Sequence, residues 1–562
     1  MRIRLEQLNP TIGDIKGNRS LIIDALRAAE SDEIDLLILP EMVTTGYPPL
    51  DLLESEYFRG CCFESNGAII RETGKTALLF GTVTPNENKI GRKLYNTAIL
   101  AVDGKQIGSV HKTLLPTYDI FDDLRYFEPN KSFSCIEFKG INLGVTVCED
   151  IWYNENEFQY HTYDVDPAEV LRDKGADVII NVSASPYTAT KHENRLGMLQ
   201  NHARRLKLPV LYSNQVGSHT EVVFDGDTVA ISAAAEVIAN TEPFQASFID
   251  VIWDQETRDI KPSSKKKIHQ YPKNRSERQF KAICFGLKEY FQKSSLEPNV
   301  VLGLSGGIDS AIVCALATES LGADRVTAIT MPSTFSSEGS VTDSERLAKN
   351  LGLKLINLSI EKIYDQFTDS LKPVFQDSPF NVAEENLQSR IRGTILMAHA
   401  NKHGQFLLTT GNKSEYAVGY ATLYGDMNGA LAIIGDLYKQ EVYQLAEWLN
   451  ESHFGREVIP NSIIQKEPSA ELRPNQKDSD SLPDYEVLDD ILYRYIELQH
   501  HAKKIIEDGF EPDIVHRTLR LVDNSEFKRY QAAPILKLSS KSFGLGRRWP
   551  LVQKWTDAHK RL

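Results

Sequence analysis

What this 562-residue chain lacks narrows it quickly. It has only six cysteines, Cys61, Cys62, Cys135, Cys148, Cys284 and Cys314, and none sits in a CxxC pair. The usual structural zinc spacing is therefore absent. In a reducing compartment most of the six are expected as thiols, five of them acting as small buried hydrophobes. No apolar run reaches the length of a membrane-spanning helix. The opening stretch MRIRLEQLNP alternates like a strand and has no apolar core of a secretion signal. A cytoplasmic protein is expected, with no membrane contact. Positive charge is in short supply. Lys plus Arg number 63 against 77 Asp plus Glu, a net charge of −14. No nucleic-acid partner is expected from that balance.

What is present is ordinary for a globular protein: 41% hydrophobic, 25% charged and 9% aromatic residues. The length exceeds one core, so two or three domains are expected. Residues 1–253 alternate strand-like runs (RIRLEQLN, DLLILPE, TALLFGTVT, YNTAILAV, INLGVTVC, ADVIINVSA, PVLYSN) with helical periodicity such as NRSLIIDALRAAES. Helices packed on the sheet faces would give a layered α/β domain. Residues 254–276 are polar and basic with two prolines, and read as a linker. Lys265-Lys266-Lys267 within it is expected to be a solvated face. A second strand–helix–strand pattern fills 277–562, implying a doubly wound parallel sheet. Residues 465–484, with three prolines, read as a mobile loop rather than a third domain.

Ligands of such sheets sit beyond the carboxyl ends of the strands. VLGLSGGIDSAIV (301–313) breaks at such an end. The loop has neither the lysine of a G-x-x-x-x-G-K-[ST] loop nor the spacing of a G-x-G-x-x-G fingerprint. Gly306 and Gly307 can take positive φ and admit a ligand close to the backbone. Backbone N–H groups and the hydroxyls of Ser305 and Ser310 can surround phosphate oxygens at a helix N-terminus. Asp309 would repel phosphate unless a hard cation such as Mg²⁺ lies between them. This S-G-G-x-D-S pattern resembles the PP-loop of ATP pyrophosphatases, which cleave ATP to AMP and pyrophosphate. The missing lysine then makes sense, because the loop holds a departing pyrophosphate.

GVTVCEDIW places Cys148 at the end of a buried strand. A free thiol is only a few per cent thiolate at neutral pH and needs a base or cation nearby to act as a nucleophile. Glu41, ending LILPE, and Lys112, in IGSVHKTLLP, lie at two other strand ends. A glutamate there is more often a helix cap, a lysine more often a surface charge, and spacing alone does not bring them together. Taken as a set, LPE, HKTLLP and VCEDIW resemble the Glu–Lys–Cys pattern of the nitrilase superfamily. That resemblance covers roughly residues 1–250. It implies an αββα sandwich that hydrolyses amides through a thioester. His111, beside the lysine, is read as packing.

An amidase joined to an ATP pyrophosphatase resembles the family of glutamine-dependent NAD synthetases over almost the whole chain. NQVG, FDGDT, LSGGIDSA, EENLQSRIRG, TTGNKSE, YGDMNG, GDLYK and KLSSKSFGLGRRWP carry the likeness. It implies a ligase with glutamine as amido donor. Ammonia released in one half would amidate adenylated deamido-NAD⁺ in the other, giving NAD⁺, AMP, pyrophosphate and glutamate. By this resemblance Glu41 is the general base, Lys112 the oxyanion stabiliser and Cys148 the nucleophile. Tyr118, Ser185 and Lys191 hold glutamine. Leu304, Ser305, Gly306, Gly307, Ile308, Asp309, Ser310, Ala311, Thr410 and Lys439 bind ATP. Asn386, Glu415 and Lys537 contact deamido-NAD⁺, while Asp309 and Glu415 hold Mg²⁺. A homo-oligomer is implied as well.

Two departures stand out. Leu423 precedes YGD where ammonia-using single-domain relatives carry a lysine. Ser218-His219-Thr220 stands where other members often carry Gly-Gln-Asp, and that stretch receives no role. The competing readings are another glutamine amidotransferase, an RNA-thiolating enzyme sharing the S-G-G-x-D-S loop, and a non-catalytic scaffold. Acidic balance opposes the second, and the filled catalytic positions oppose the third.

Overall fold

The structure, a computed structural model, describes residues 1–88, 90–152, 163–263, 268–376 and 378–555. The lysine run at 265–267 lies outside the described residues. The chain forms two compact units, Met1–Tyr271 and Pro272–Leu562.

The first unit holds two main sheets. In one, the neighbouring strands run Asp259–Pro262, Ser247–Asp254, Arg2–Gln7, Leu36–Ile38, Ala77–Pro85, Leu94–Val102, Lys105–His111. In the other they run Val237–Asn240, Val229–Ile231, Val210–Asn214, Val178–Ser183, Ile141–Val147, Ile136–Phe138. Each sheet is parallel at its centre and antiparallel toward its edges. Parallel central strands are covered on both faces and read as unbroken apolar runs. That is why LLI at 36–38 and VIINVS at 178–183 are buried throughout.

The two sheets pack on each other through Ile3, Leu5, Ile38 and Leu79 on one side and Leu143, Val145, Val182 and Leu211 on the other. Helix Ile15–Ser31 covers the outer face of the first sheet. It is capped by Asp14 and buries Ile22, Ala25, Leu26 and Ala29, a spacing of three and four. Burying Ile22 or Leu26 contributes roughly 1.5–3 kcal/mol. Helices Pro167–Asp173 and Lys191–Leu206 cover the second sheet. The result is the expected αββα sandwich.

Two segments differ from the sequence-based expectation. Residues 259–262, predicted to be part of an irregular linker, form an edge strand paired antiparallel to Ser247–Asp254. Their composition is polar because an edge strand faces water on one side, and only Ile260 is buried. The stretch left without a role, 218–220, lies in a hairpin. Val216–His219 pairs with Val222–Asp225 through a two-residue turn in which Thr220 has φ +54°.

The second unit has four parallel strands in the order Lys354–Asn357, Val326–Thr330, Val300–Gly303, Phe406–Leu407. Helix Ile308–Leu321 connects two of them and is buried over Ala311–Thr318, as expected of an apolar run without a polar face. Helix Val382–His403 packs Ile391 and Leu396 onto Val301 and Ile329. Helices Tyr485–Ile496 and Pro512–Asn524 add a helical layer with their own apolar contacts. Residues 465–484 form no third unit. They make irregular turns and one short helical turn, Asp478–Asp480.

Candidate active sites

In the first unit, three strand ends meet. Glu41 follows Leu36–Ile38, Lys112 follows Lys105–His111, and Cys148 follows Ile141–Val147. Glu41 is fully buried, and Lys112 and Cys148 are nearly so. Lys112 Nζ lies 2.9 Å from Glu41 Oε1 and 2.6 Å from Asp123 Oδ2. Asn96 Nδ2 donates to Glu41 Oε1 at 2.7 Å, and the Ala184 backbone N–H donates to Oε2 at 2.9 Å. Burial alone would lower the pKa of the lysine. The carboxylates of Asp123 and Glu41 outweigh it and hold the ammonium well above the usual lysine range.

Cys148 responds in the opposite sense. Burial and then the Glu41 charge push its thiol well up, and Lys112 opposes them only in part. The resting group is a thiol beside a carboxylate that can take its proton. Its backbone has φ +44°, a conformation that a side chain of this kind rarely adopts. Cys148 thus sits on a strained elbow between a strand and the short helical turn Cys148–Ile151.

The expected glutamine-holding residues gather around that turn. Tyr118 donates its hydroxyl to Glu149, 2.9 Å from Oε1. Lys191 places Nζ 3.9 Å from the centre of the Trp152 ring. Ser185 adjoins Ala184, and its backbone N–H donates to Asn214 Oδ1 at 2.8 Å. His111 stacks on Tyr95 at 4.0 Å between ring centres and pairs with Thr97, so packing is its role in the structure. All six cysteines are free thiols.

Sequence reasoning missed Asp123, Glu149 and Asp150. Asp123 was hidden because nothing in FDDLRYF marks one aspartate as a partner of a lysine eleven residues earlier. Tyr47 donates to its other oxygen at 3.0 Å. Glu149 and Asp150 stood beside the cysteine in VCEDIW and could have been suspected from that position.

In the second unit the glycine loop opens on a cleft of about 280 Å³. Gly306 has φ +81°, and a Cβ there would lie 2.4 Å from the Ser340 carbonyl oxygen, so only glycine fits. Ser305 and Ser310 hold the loop shut on itself. The Ser305 N–H reaches Ser310 Oγ at 3.2 Å, and Ser310 Oγ donates to the Gly307 carbonyl at 3.0 Å. Leu304, Ser305, Gly307, Ile308, Asp309 and Ser310 line the cleft, and so do Thr410, Glu415 and Lys439. Gly306 and Ala311 do not. Ala311 is fully buried in the helix that follows.

Lys439 Nζ bridges two carboxylates, 2.6 Å from Asp309 Oδ2 and 3.1 Å from Glu415 Oε1. Asn412 Nδ2 donates to Asp309 Oδ1 at 2.8 Å and caps the helix that carries Glu415. Burial pushes the Glu415 carboxyl up to about 8, with Lys439 opposing and Asp309 adding to the rise. Asp478 also faces this cluster. Among the described residues no group of three His, Cys, Asp or Glu is arranged to hold a metal. Two hard carboxylates that already share one cation do fit Mg²⁺, which usually takes one or two protein carboxylates and completes its shell with phosphate and water.

Two of the expected deamido-NAD⁺ contacts fall elsewhere. Lys537 is buried and donates to the carbonyls of Ser539 and Ser540, at 2.8 and 3.2 Å, rather than facing the cleft. Its ammonium is held by its own turn. Asn386 is outside the lining and accepts from the Thr422 hydroxyl at 2.8 Å. The cleft instead presents Arg392, Asp426, Lys466 and Glu471. Lys466 and Glu471 pair at 2.7 Å and come from the segment expected to be a mobile loop. Its polar composition reflects a cleft wall.

A sandwich with a buried Glu–Lys–Cys centre and a parallel-sheet unit with a phosphate-type loop define an enzyme of two catalytic units. The carbon-nitrogen hydrolase family model matches residues 2–259, and the NAD synthase model matches residues 279–532. A glutamine-dependent NAD(+) synthetase of Synechocystis sp. is 43% identical over 98% of each chain. One from Thermotoga maritima is 38% identical over 99% of each. The solved glutamine-dependent NAD+ synthetase of Acinetobacter baumannii, in complex with ADP, superposes with TM-score 0.77 at 34% identity, covering 98% of each chain. The chain belongs to the glutamine-dependent NAD(+) synthetase family.

Proposed function

We propose that Glu41, Lys112 and Cys148 release ammonia from glutamine, and that the cleft at Gly306–Gly307 uses it to amidate deamido-NAD⁺ at the expense of ATP. The observation that carries this reading is the buried Lys112 ammonium between Glu41 and Asp123, with the Cys148 thiol in the field of both Glu41 and Lys112. Glu41 takes the Cys148 proton as sulfur attacks the carboxamide carbon. Lys112 stabilises the oxyanion that forms, in a site where burial strengthens the interaction. Glu41 returns the proton to the departing nitrogen, and ammonia leaves a thioester. Glu41 then deprotonates water, which frees glutamate and restores the thiol. Tyr118 and Lys191 hold the substrate, with Lys191 placed to meet the α-carboxylate.

In the second unit the Ser305–Ser310 loop donates N–H and O–H groups to the ATP phosphates. A carboxylate oxygen of deamido-NAD⁺ attacks the α-phosphorus, pyrophosphate departs, and an acyl-adenylate forms. Ammonia attacks the acyl carbon and AMP leaves. Asp309 and Glu415 would hold Mg²⁺, which neutralises phosphate charge. Lys439 would exchange its carboxylate contacts for phosphate oxygens. Incubation with ATP, Mg²⁺, glutamine and deamido-NAD⁺ is expected to give NAD⁺, AMP, pyrophosphate and glutamate in equal amounts. Equal AMP release with xanthosine monophosphate or aspartate in place of deamido-NAD⁺ overturns the substrate assignment.

Among the described residues no helix is long and apolar enough to cross a membrane. We place the enzyme in the cytoplasm and infer a homo-oligomer. Helix Glu361–Phe375 supports the latter, since it buries no residue fully and exposes Phe367 and Val374. Sedimentation of a monomer at micromolar concentration would refute it.

A further inference from the structure

One buried carboxylate in the first unit has no part in the chemistry above. Asp150 is 1% exposed. Its Oδ1 accepts the backbone N–H groups of Thr113, at 2.9 Å, and Leu114, at 2.8 Å. Its Oδ2 accepts the N–H of Val147 at 3.0 Å. Thr113 is the residue after Lys112, and Val147 is the residue before Cys148. The strand leading to Lys112 belongs to one sheet of the sandwich and the strand leading to Cys148 to the other. A single carboxylate therefore ties together the two chain segments that carry the cation and the nucleophile, across the boundary between sheets.

We propose that Asp150 is a positioning residue of the glutamine-hydrolysing centre, fixing the separation of Lys112 from Cys148. The inference rests on the roles proposed for those two residues. Three observations favour it over a simple anchor of the fold. The carboxylate is spent on amides of the residues that flank Lys112 and Cys148, not on a distant loop. Cys148 has φ +44° and needs its neighbours to hold it there. Asp150 grips the peptide N–H before it, and Asn181 Nδ2 grips the Cys148 carbonyl at 3.3 Å.

The third concerns a second tie between the sheets, one that also involves a reacting residue. Glu41 Oε2 accepts the Ala184 N–H, but Glu41 gains and loses a proton during each turnover, so its grip varies. Asp150 takes no part in that proton transfer; burial pushes its carboxyl up to about 7, and the N–H groups of Val147, Leu114 and Thr113 that it accepts oppose the rise. The ammonium must meet an oxyanion on the carbon that Cys148 attacks, and misplacement by about 1 Å costs on the order of a hundredfold in rate.

Asp150→Asn and Asp150→Glu test the idea. Asparagine can satisfy only one side, because its amide N–H₂ then faces an N–H. Glutamate keeps the charge and both acceptors but lengthens the tie. Folded sites are counted as the fraction of Cys148 that saturating glutamine protects from iodoacetamide, read by peptide mass spectrometry. Expected for both variants is a fall of roughly ten- to a hundredfold in kcat for glutamine hydrolysis per protected site. KM for glutamine should stay within about twofold, and ammonia-driven synthesis should stay at the wild-type rate. A structural anchor would instead lower the protected fraction and leave kcat per site unchanged. That result in either variant overturns the proposal, as does a loss confined to KM. Glutamine hydrolysis surviving in Cys148→Ala would sink the underlying assignment of roles, whatever Asp150 does.

Discussion

Replacing Cys148 with alanine is expected to abolish NAD⁺ formation from glutamine and leave formation from ammonia intact. The change removes one sulfur atom from a buried position. That costs about 1 kcal/mol, against roughly 5–15 kcal/mol of total stability for a domain, so the fold survives. The chemical loss is far larger. Without the thiol no thioester forms, and removing a nucleophile costs on the order of 10⁴-fold or more. The Glu41–Lys112–Asp123 network needs no contact from sulfur to persist, since Asn96 and Ala184 hold Glu41 in place. Ammonia added from solution bypasses the missing step. Steady-state NAD⁺ formation with each nitrogen donor measures the difference. Equal loss with both donors would end the division of labour between the units.

Asp309→Ala is expected to fail with either donor. Asp309 sits at the first turn of helix Ile308–Leu321, facing the phosphates' expected position, and shares the Lys439 ammonium with Glu415. Its removal takes away one of the two carboxylates that fit Mg²⁺. It also leaves Lys439 bound to Glu415 alone, misdirecting the cation nearest the loop. Loss of one preorganised electrostatic contact to a reacting phosphate costs about 10²–10³-fold. AMP release, followed with glutamine and then with ammonia, should drop by at least that factor in both assays. Wild-type AMP release would contradict the Mg²⁺ role of this carboxylate. Cys148→Ala separates the two nitrogen donors and Asp309→Ala does not, so the pair assigns each half-reaction to a unit.

Much of this was readable from local pattern. Strands such as INLGVTVC and ADVIINVSA show themselves because covered parallel strands must be apolar throughout. Helix Arg275–Ser294 opens the strand–helix–strand pattern expected from 277 onward and carries Asn274 as its cap. The glycine loop was legible because only glycine tolerates the contact at 306. Less legible were polar segments whose partners are remote. Asp259–Pro262 looked like linker because a solvated edge strand and an irregular chain have similar composition. Residues 465–484 read as a loop, and their place in a cleft wall was hidden because such a wall has the same polar composition as a loop in water. Lys537 looked like a ligand contact, yet the carbonyls of Ser539 and Ser540 claim it.

By itself the sequence determined where the apolar central strands end and which reactive side chain stands there, because periodicity, glycine tolerance and capping are properties of neighbouring residues. Only the tertiary structure decided that Glu41, Lys112 and Cys148 meet, that Asp123 completes the lysine's neutralisation, and that Asp150 joins two sheets. Those pairings span up to 107 positions of chain, from Glu41 to Cys148. They are set by how two apolar sheet faces pack together, a long-range event that no short run of residues records.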